Sequence, residues 1–290
     1  MKRTIRILVV AAAAFLAAAC SLTHLAYMNA TFAYSNATPL LAWSVGDYVD
    51  MTDPQKDWMR ERLARAMAWH RAEELPAYRR FLESVAARAE DGISADEARE
   101  AHRALRAHYH RALDHVLPDL AEFLAQLDPE QAQQLERRFA DDNRKIAREA
   151  AKGTPEERRD DRVGKYRDHI EEFTGRLTDA QRALVAERIG AFADLTEDRL
   201  EDRRYRQKAI VALVRDKASR EQMIPELRRL LIDTETWRRP DYLRKLRVRD
   251  EQMFEMVAAL SATLSPEQRV NVQKRLRGFM RDITDLTTAN

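Results

Sequence analysis

Four short boxes of one kind recur along the chain: Met51-Thr52-Asp53-Pro54-Gln55, Leu127-Asp128-Pro129-Glu130-Gln131, Leu177-Thr178-Asp179-Ala180-Gln181 and Leu264-Ser265-Pro266-Glu267-Gln268. Each reads as the start of a helix. The Thr, Asp or Ser is an N-cap whose oxygen takes an orphan backbone N–H, and the Gln three residues on reaches back to the cap. Acids in the first turn suit the positive end of the helix dipole. Ser94 with Glu97, Thr154 with Glu157 and Ser219 with Gln222 repeat the pattern in other residues. Apolar residues then follow at helical spacing, as in Tyr166, Ile170 and Phe173, or Ile189, Phe192 and Ala193. With 7 Gly and 9 Pro in 290 residues, turn-formers are too scarce for the many short strands of a sandwich or barrel.

These starts predict an all-α chain of seven to eight antiparallel helices, in an elongated bundle or two helical lobes. The boxes lie 76, 50 and 87 residues apart, so no fixed period supports a solenoid. Gly153-Thr154-Pro155 is the best break, which places a first lobe at 51–152 and a second at 153–290. Kinks are expected at Pro76, Pro118 and Pro225, where the ring removes an N–H and crowds the preceding turn. The fourth helical residue of the boxes is Lys56, Ala132, Arg182 or Arg269, which offers no obvious hydrophobic staple. The leading Met or Leu is therefore expected to pack onto a neighbouring helix.

The N-terminus has a different composition. Lys2, Arg3 and Arg6 precede the apolar run Ile7 to Ala19, which ends at Cys20, the only cysteine. The run is 13 residues long, short of the roughly 20 that a membrane-crossing helix needs, so residues 1–19 read as a cleaved signal peptide. Leu16-Ala17-Ala18-Ala19-Cys20 resembles a bacterial lipobox, which implies lipidation of Cys20 and an anchored, non-spanning protein. Ser21 in place of Asp resembles the outer-membrane form of the enterobacterial sorting signal, implying a periplasm-facing protein in the outer membrane. A single cysteine excludes an internal disulfide.

Residues 20–50 then hold five of the 21 aromatics, Tyr27, Phe32, Tyr34, Trp43 and Tyr48, against two charges, Asp47 and Asp50. Such a segment is expected to dock, through Trp43 and Tyr48, on the helical body, with Asp47 offered to Arg71; the membrane surface or another protein are the other possible partners. Without the first 19 residues the chain has 47 basic and 48 acidic side chains, interspersed. That balance argues against nucleic acid as a partner, since phosphate binding needs a concentrated basic face.

Rare residues concentrate in Trp43-Ser44-Val45-Gly46-Asp47-Tyr48 and Trp69-His70-Arg71-Ala72-Glu73-Glu74-Leu75-Pro76-Ala77-Tyr78. Met59, Leu63, Ala66, Met67, His70 and Glu74 share one helical stripe, while Trp58 and Trp69 lie on another side. The simplest reading is a buried His70 bonded to Glu74 beside a Pro76 kink. A pocket framed by Trp69, Tyr78 and Tyr48, with His70 and Arg71 as polar contacts, is the functional alternative. No nucleophile box or phosphate-cradling loop accompanies these residues, so no catalytic residue is assigned. Of His102, His108, His110 and His115, only His108 and His115 align on one helix face, too few for a metal site, and no cofactor or metal is expected.

Together with the lipobox, the Trp-x-x-x-Asp-Tyr stretch, the first glutamine box and the Trp-His-Arg-x-x-Glu-Leu-Pro-x-Tyr stretch resemble a family of uncharacterised proteobacterial lipoproteins, a domain of unknown function. The boxes themselves resemble the LTXXQ signature of Spy-type periplasmic chaperones, all-helical proteins that shield unfolded clients. The function expected is thus a non-enzymatic, protein-binding envelope factor, with a client-shielding chaperone as the alternative.

Overall fold

The computed structural model describes Tyr34 and residues 37–288. The signal peptide and Cys20 lie outside the described residues. In chain order the helices are α1 (Ala37–Gly46), α2 (Asp53–Trp69), a π-helical turn (His70–Glu74), α3 (Leu75–Arg88), α4 (Ala95–Ala125), α5 (Pro129–Ala150), α6 (Pro155–Thr174), α7 (Asp179–Gly190), α8 (Thr196–Arg215), α9 (Arg220–Leu231), a 3-10 turn (Thr234–Thr236), α10 (Pro240–Ala262) and α11 (Pro266–Thr288). No strand occurs among the described residues, and the protein is all-α.

All seven predicted capping boxes form. Thr52, Asp128, Thr154, Thr178 and Ser219 each exchange bonds with the residue three positions on. Ser94 with Glu97 and Ser265 with Gln268 do the same. The described residues nevertheless form eleven α-helices, ten if α2 and α3 are counted as one through the π turn, where seven to eight were expected. Part of the surplus has a local cause: α10 starts at Pro240 after an N-cap, Arg239, that makes no side-chain cap bond. Helices whose starts rest on tertiary packing escape a count of caps.

The helices form two compact units that interleave along the chain. The first takes the chain up to Glu74, then His108–Ala151 and Thr196–Arg238; the second takes Leu75–Ala107, Lys152–Leu195 and Arg239 onward. They differ from the consecutive lobes 51–152 and 153–290: the break near Gly153 coincides with one crossing, but 196–238 joins the first unit. Long helices are the reason, since α4 supplies residues to both.

In the first unit α8 packs on α5, α1 on α2 and α9 on α8. Its core joins Val45, Tyr48, Met59, Leu63, Leu113, Leu117, Phe123, Leu135, Phe139, Ile210 and Leu227. The second unit packs α11 on α3 and α6, and α7 on α6 and α10, around Leu177, Val185, Ile189, Phe192, Met256 and Leu260. The leading residues Met51 and Leu127 enter the first core and Leu177 the second, as their poor staple geometry required.

The four boxes pair two by two. In the first unit Gln55 Nε2 donates to Gln131 Oε1 (3.1 Å) and Gln131 Nε2 to Gln55 Oε1 (2.7 Å). Each amide also donates to the carbonyl two residues before the partner's N-cap, Gln126 O for Gln55 and Asp50 O for Gln131. The second unit repeats this. Gln181 and Gln268 donate to each other, both at 2.9 Å, and to Thr263 O and Arg176 O. Since each Oε1 also accepts its own N-cap N–H, both donors and both acceptor positions of every amide are used. A capping residue thereby becomes the tie between two helix starts that are 76 or 87 residues apart.

Candidate functional site

The regular geometry of the α-helix breaks where the aromatic and basic residues cluster. Pro76 has no N–H to give, and its ring would crowd the carbonyl of Ala72, four residues back; the wider π turn of His70–Glu74 lies just ahead of it. The stripe Met59, Leu63, Ala66 and Met67 is buried as predicted, and His70 and Glu74 at its end are 6% and 3% exposed.

Glu74, however, does not bond His70. Arg111 Nε donates to Glu74 Oε1 (2.9 Å), Arg111 Nη2 donates to Oε2 (3.2 Å), and His108 Nδ1 lies 3.3 Å from Oε2. The π turn carries Glu74 toward α4, so the expected pair is replaced by a clamp from the facing helix. His70 Nδ1 is hydrogen-bonded instead to Tyr34 OH (2.8 Å), 36 residues upstream. Arg71 sits with its guanidinium carbon 5.8 Å from the centre of the Tyr34 ring, and it makes no ion pair with Asp47 among the described residues. Trp69 stacks flat on His115, ring centres 3.7 Å apart and planes 6° apart. The two histidines that align on α4 thus meet opposite ends of the π turn.

Burial fixes the charges. It pushes His70 down to about 4, against a smaller opposing pull from Glu74, so the imidazole is neutral. Glu74 feels burial pushing its pKa up, but the bonds from Arg111 and His108 outweigh it and hold the carboxyl below its usual range. His115 is also lowered by burial.

Tyr48 belongs to a different cluster. It is buried, and its hydroxyl donates to Asp142 (2.9 Å) across 94 residues. Burial, then the bond to Asp142, pushes the phenol well up. Arg138 lies over the Tyr48 ring at 5.5 Å. Beside it Arg203 Nε donates to Asn143 Oδ1 (2.8 Å) and Asn143 Nδ2 to Gln207 Oε1 (2.7 Å), and burial lowers Arg203 to about 10. Sequence reasoning missed this network: of its members only Tyr48 was singled out, and Arg203 stands among charged neighbours, Glu201, Asp202 and Arg204, that give it no distinguishing signal.

Of the segment 20–50, only Tyr34 and residues 37–50 lie among the described residues. Val45, Tyr48 and Val49 are buried in the first unit, whereas Trp43 is 53% exposed. Tyr78 lies on α3 in the second unit, half-buried; the expected frame of Trp69, Tyr78 and Tyr48 is replaced by Trp69 with His115 and by Tyr48 with Asp142. His102 packs on Phe254, ring centres 5.3 Å apart. Among the described residues no group of three or more His, Cys, Asp or Glu is placed to hold a metal, and no helix is long and apolar enough to cross a membrane.

No curated protein and no solved structure matches the chain. Residues 47–243, which carry the first three boxes, the π turn with its Arg111 clamp and the Tyr48 network, match a family of unknown function, DUF6279. With more than half of its length inside that match, the chain belongs to the DUF6279 family.

Proposed function

We propose that this protein is a lipoprotein held in the outer membrane through Cys20, facing the periplasm and acting without catalysis as a protein-binding envelope factor. The observation that supports binding over chemistry is the state of the reactive side chains around the π turn. Acid–base catalysis needs a group that titrates near the working pH and reaches a substrate proton. A buried His70 near 4 bonded to Tyr34, and a Glu74 held by Arg111 and His108, do neither. The boxes that resemble the chaperone signature have their glutamines engaged with one another, which weighs against client binding through that motif. A client cradle needs a broad apolar surface, whereas the exposed large hydrophobics among the described residues are the pair Leu40 and Trp43 on α1 and single residues, Leu105, Tyr205, Val248 and Val270, on four other helices.

Photo-crosslinking in native envelopes tests the reading, with the reactive residue placed at Tyr205, Val248 or Val270. One or two discrete adducts are expected, and their loss when Cys20→Ala releases the protein from the membrane. A smear of many adducts would favour client shielding. A protein recovered outside the envelope, or without adducts at every position, would overturn the proposal.

A further inference from the structure

Helix α1 contains no charged residue, ATPLLAWSVG, and it turns two apolar faces in opposite directions. One buries Val45 against α2 and the first core, continued by Tyr48 and Val49. The other presents Leu40, 48% exposed, and Trp43, 53% exposed, one helical turn apart and beside exposed Pro39. A surface helix normally gives its outer face to charged side chains. This one gives it to a leucine and a tryptophan.

Cys20 precedes Ala37 by 17 residues. Whatever their conformation, that length reaches at most about 60 Å. The Leu40–Trp43 face therefore stays within reach of the bilayer that holds the lipid. Tethering presents it to that surface at an effective concentration on the order of millimolar, so a patch too small to bind a membrane from solution suffices. Its composition fits the headgroup region, where tryptophan rings collect at the boundary of water and hydrocarbon.

We infer that the Leu40–Trp43 face of α1 seats in the headgroup layer of the membrane anchoring Cys20, a second contact that fixes the first unit against the bilayer. The inference rests on the lipoprotein reading, and the two fail separately.

The mature lipidated protein is placed in phosphatidylethanolamine–phosphatidylglycerol vesicles, with or without brominated acyl chains, which quench tryptophans that reach the bilayer. The chain has four tryptophans, Trp43, Trp58, Trp69 and Trp237. Quenching is expected, and its loss in Trp43→Phe. Leu40→Glu, at an exposed position, is expected to lose the quenching while keeping the circular dichroism of the parent. Flotation of the same vesicles reads the lipid anchor independently. Vesicles that float with the protein while Trp43 is unquenched overturn the docking and leave the anchor intact. Trp43 shielded from acrylamide in native envelopes but unquenched in vesicles assigns the face to a protein and likewise overturns it. A protein that does not float overturns both readings.

Discussion

Replacing the glutamines that tie the first two boxes separates a cap from a tertiary contact. Gln131 is 4% exposed and Gln55 half-buried. In Gln55→Leu the amide of Gln131 loses one donor partner and one acceptor partner in a place that water reaches poorly, a cost of about 1–3 kcal/mol. The Thr52 N–H loses its return bond from Gln55 as well, worth about 1 kcal/mol as a share of the capping box. Gln126, whose carbonyl is also released, is exposed, so water replaces that bond. The expected total is about 3 kcal/mol. Gln131→Leu orphans the better hydrated Gln55 amide and should cost about 2 kcal/mol. In the double variant neither amide remains to be orphaned, and only the two caps and the released carbonyls count. The pair together should then cost about 3 kcal/mol, roughly 2 kcal/mol less than the sum of the singles.

Urea unfolding of a chain beginning after Cys20 measures this, with Thr52→Ala as the control that removes a cap alone, expected near 1 kcal/mol. Trp43, Trp58, Trp69 and Trp237 all fall in the first unit, so tryptophan emission reports the unit that carries Gln55 and Gln131. Circular dichroism reports both, and agreement of the two probes decides whether one transition describes the protein. If the costs add to within about 0.5 kcal/mol, the reciprocal glutamine contact contributes nothing beyond its caps and the account of the box pairs is wrong.

Four further outcomes are expected. The folded pKa of His70, about 4, lies below its unfolded 6.5, so the unfolded chain binds the proton first; stability should fall by up to about 3 kcal/mol as pH drops through that interval, and His70→Gln should flatten that part of the pH profile of tryptophan-monitored unfolding. At neutral pH His70 is uncharged and Glu74 is partnered elsewhere, so His70→Ala and Glu74→Ala should be additive within about 0.5 kcal/mol, whereas Glu74→Ala and Arg111→Ala should couple by about 1 kcal/mol or more in the same assay. Tyr48→Phe removes a donor from buried Asp142 and should lower stability by about 1–3 kcal/mol; a variant as stable as the parent in urea would show that the bond is redundant. Mass spectrometry of the mature protein should find Cys20 acylated and residues 1–19 absent, and an unmodified thiol or a retained Lys2 would exclude the lipid anchor.

The helix starts were legible because a capping box is a local device: donor and acceptor lie three residues apart, and no other part of the chain is needed to make the bonds. The same locality hid the ties between boxes. Nothing in Thr178-Asp179-Ala180-Gln181 says that its amide meets Gln268 rather than Gln55 or Gln131, since all four boxes present the same groups. Interleaving was hidden for a related reason, because a break such as Gly153 marks where a helix stops and not which unit the next helix joins.

The site divides along the same line. Helical period alone predicted that Met59 to Glu74 form a buried stripe, and it also aligned His108 with His115 on one face. It could not place the partners, because a π turn adds a residue to the register just where His70 and Glu74 were to meet. With the α-helical register lost, Glu74 takes its charge balance from Arg111 on another helix, and His70 takes its partner from Tyr34, close to α1 in the chain. The consequence is a physical link that neither motif shows alone: the neutral imidazole at the turn holds Tyr34, three residues ahead of α1. Protonating His70 would make Nδ1 a donor only, so Tyr34 OH would have to accept in that bond. The aromatic segment and the Trp-His-Arg stretch therefore form one structural element, and a substitution in either should loosen the attachment of the other.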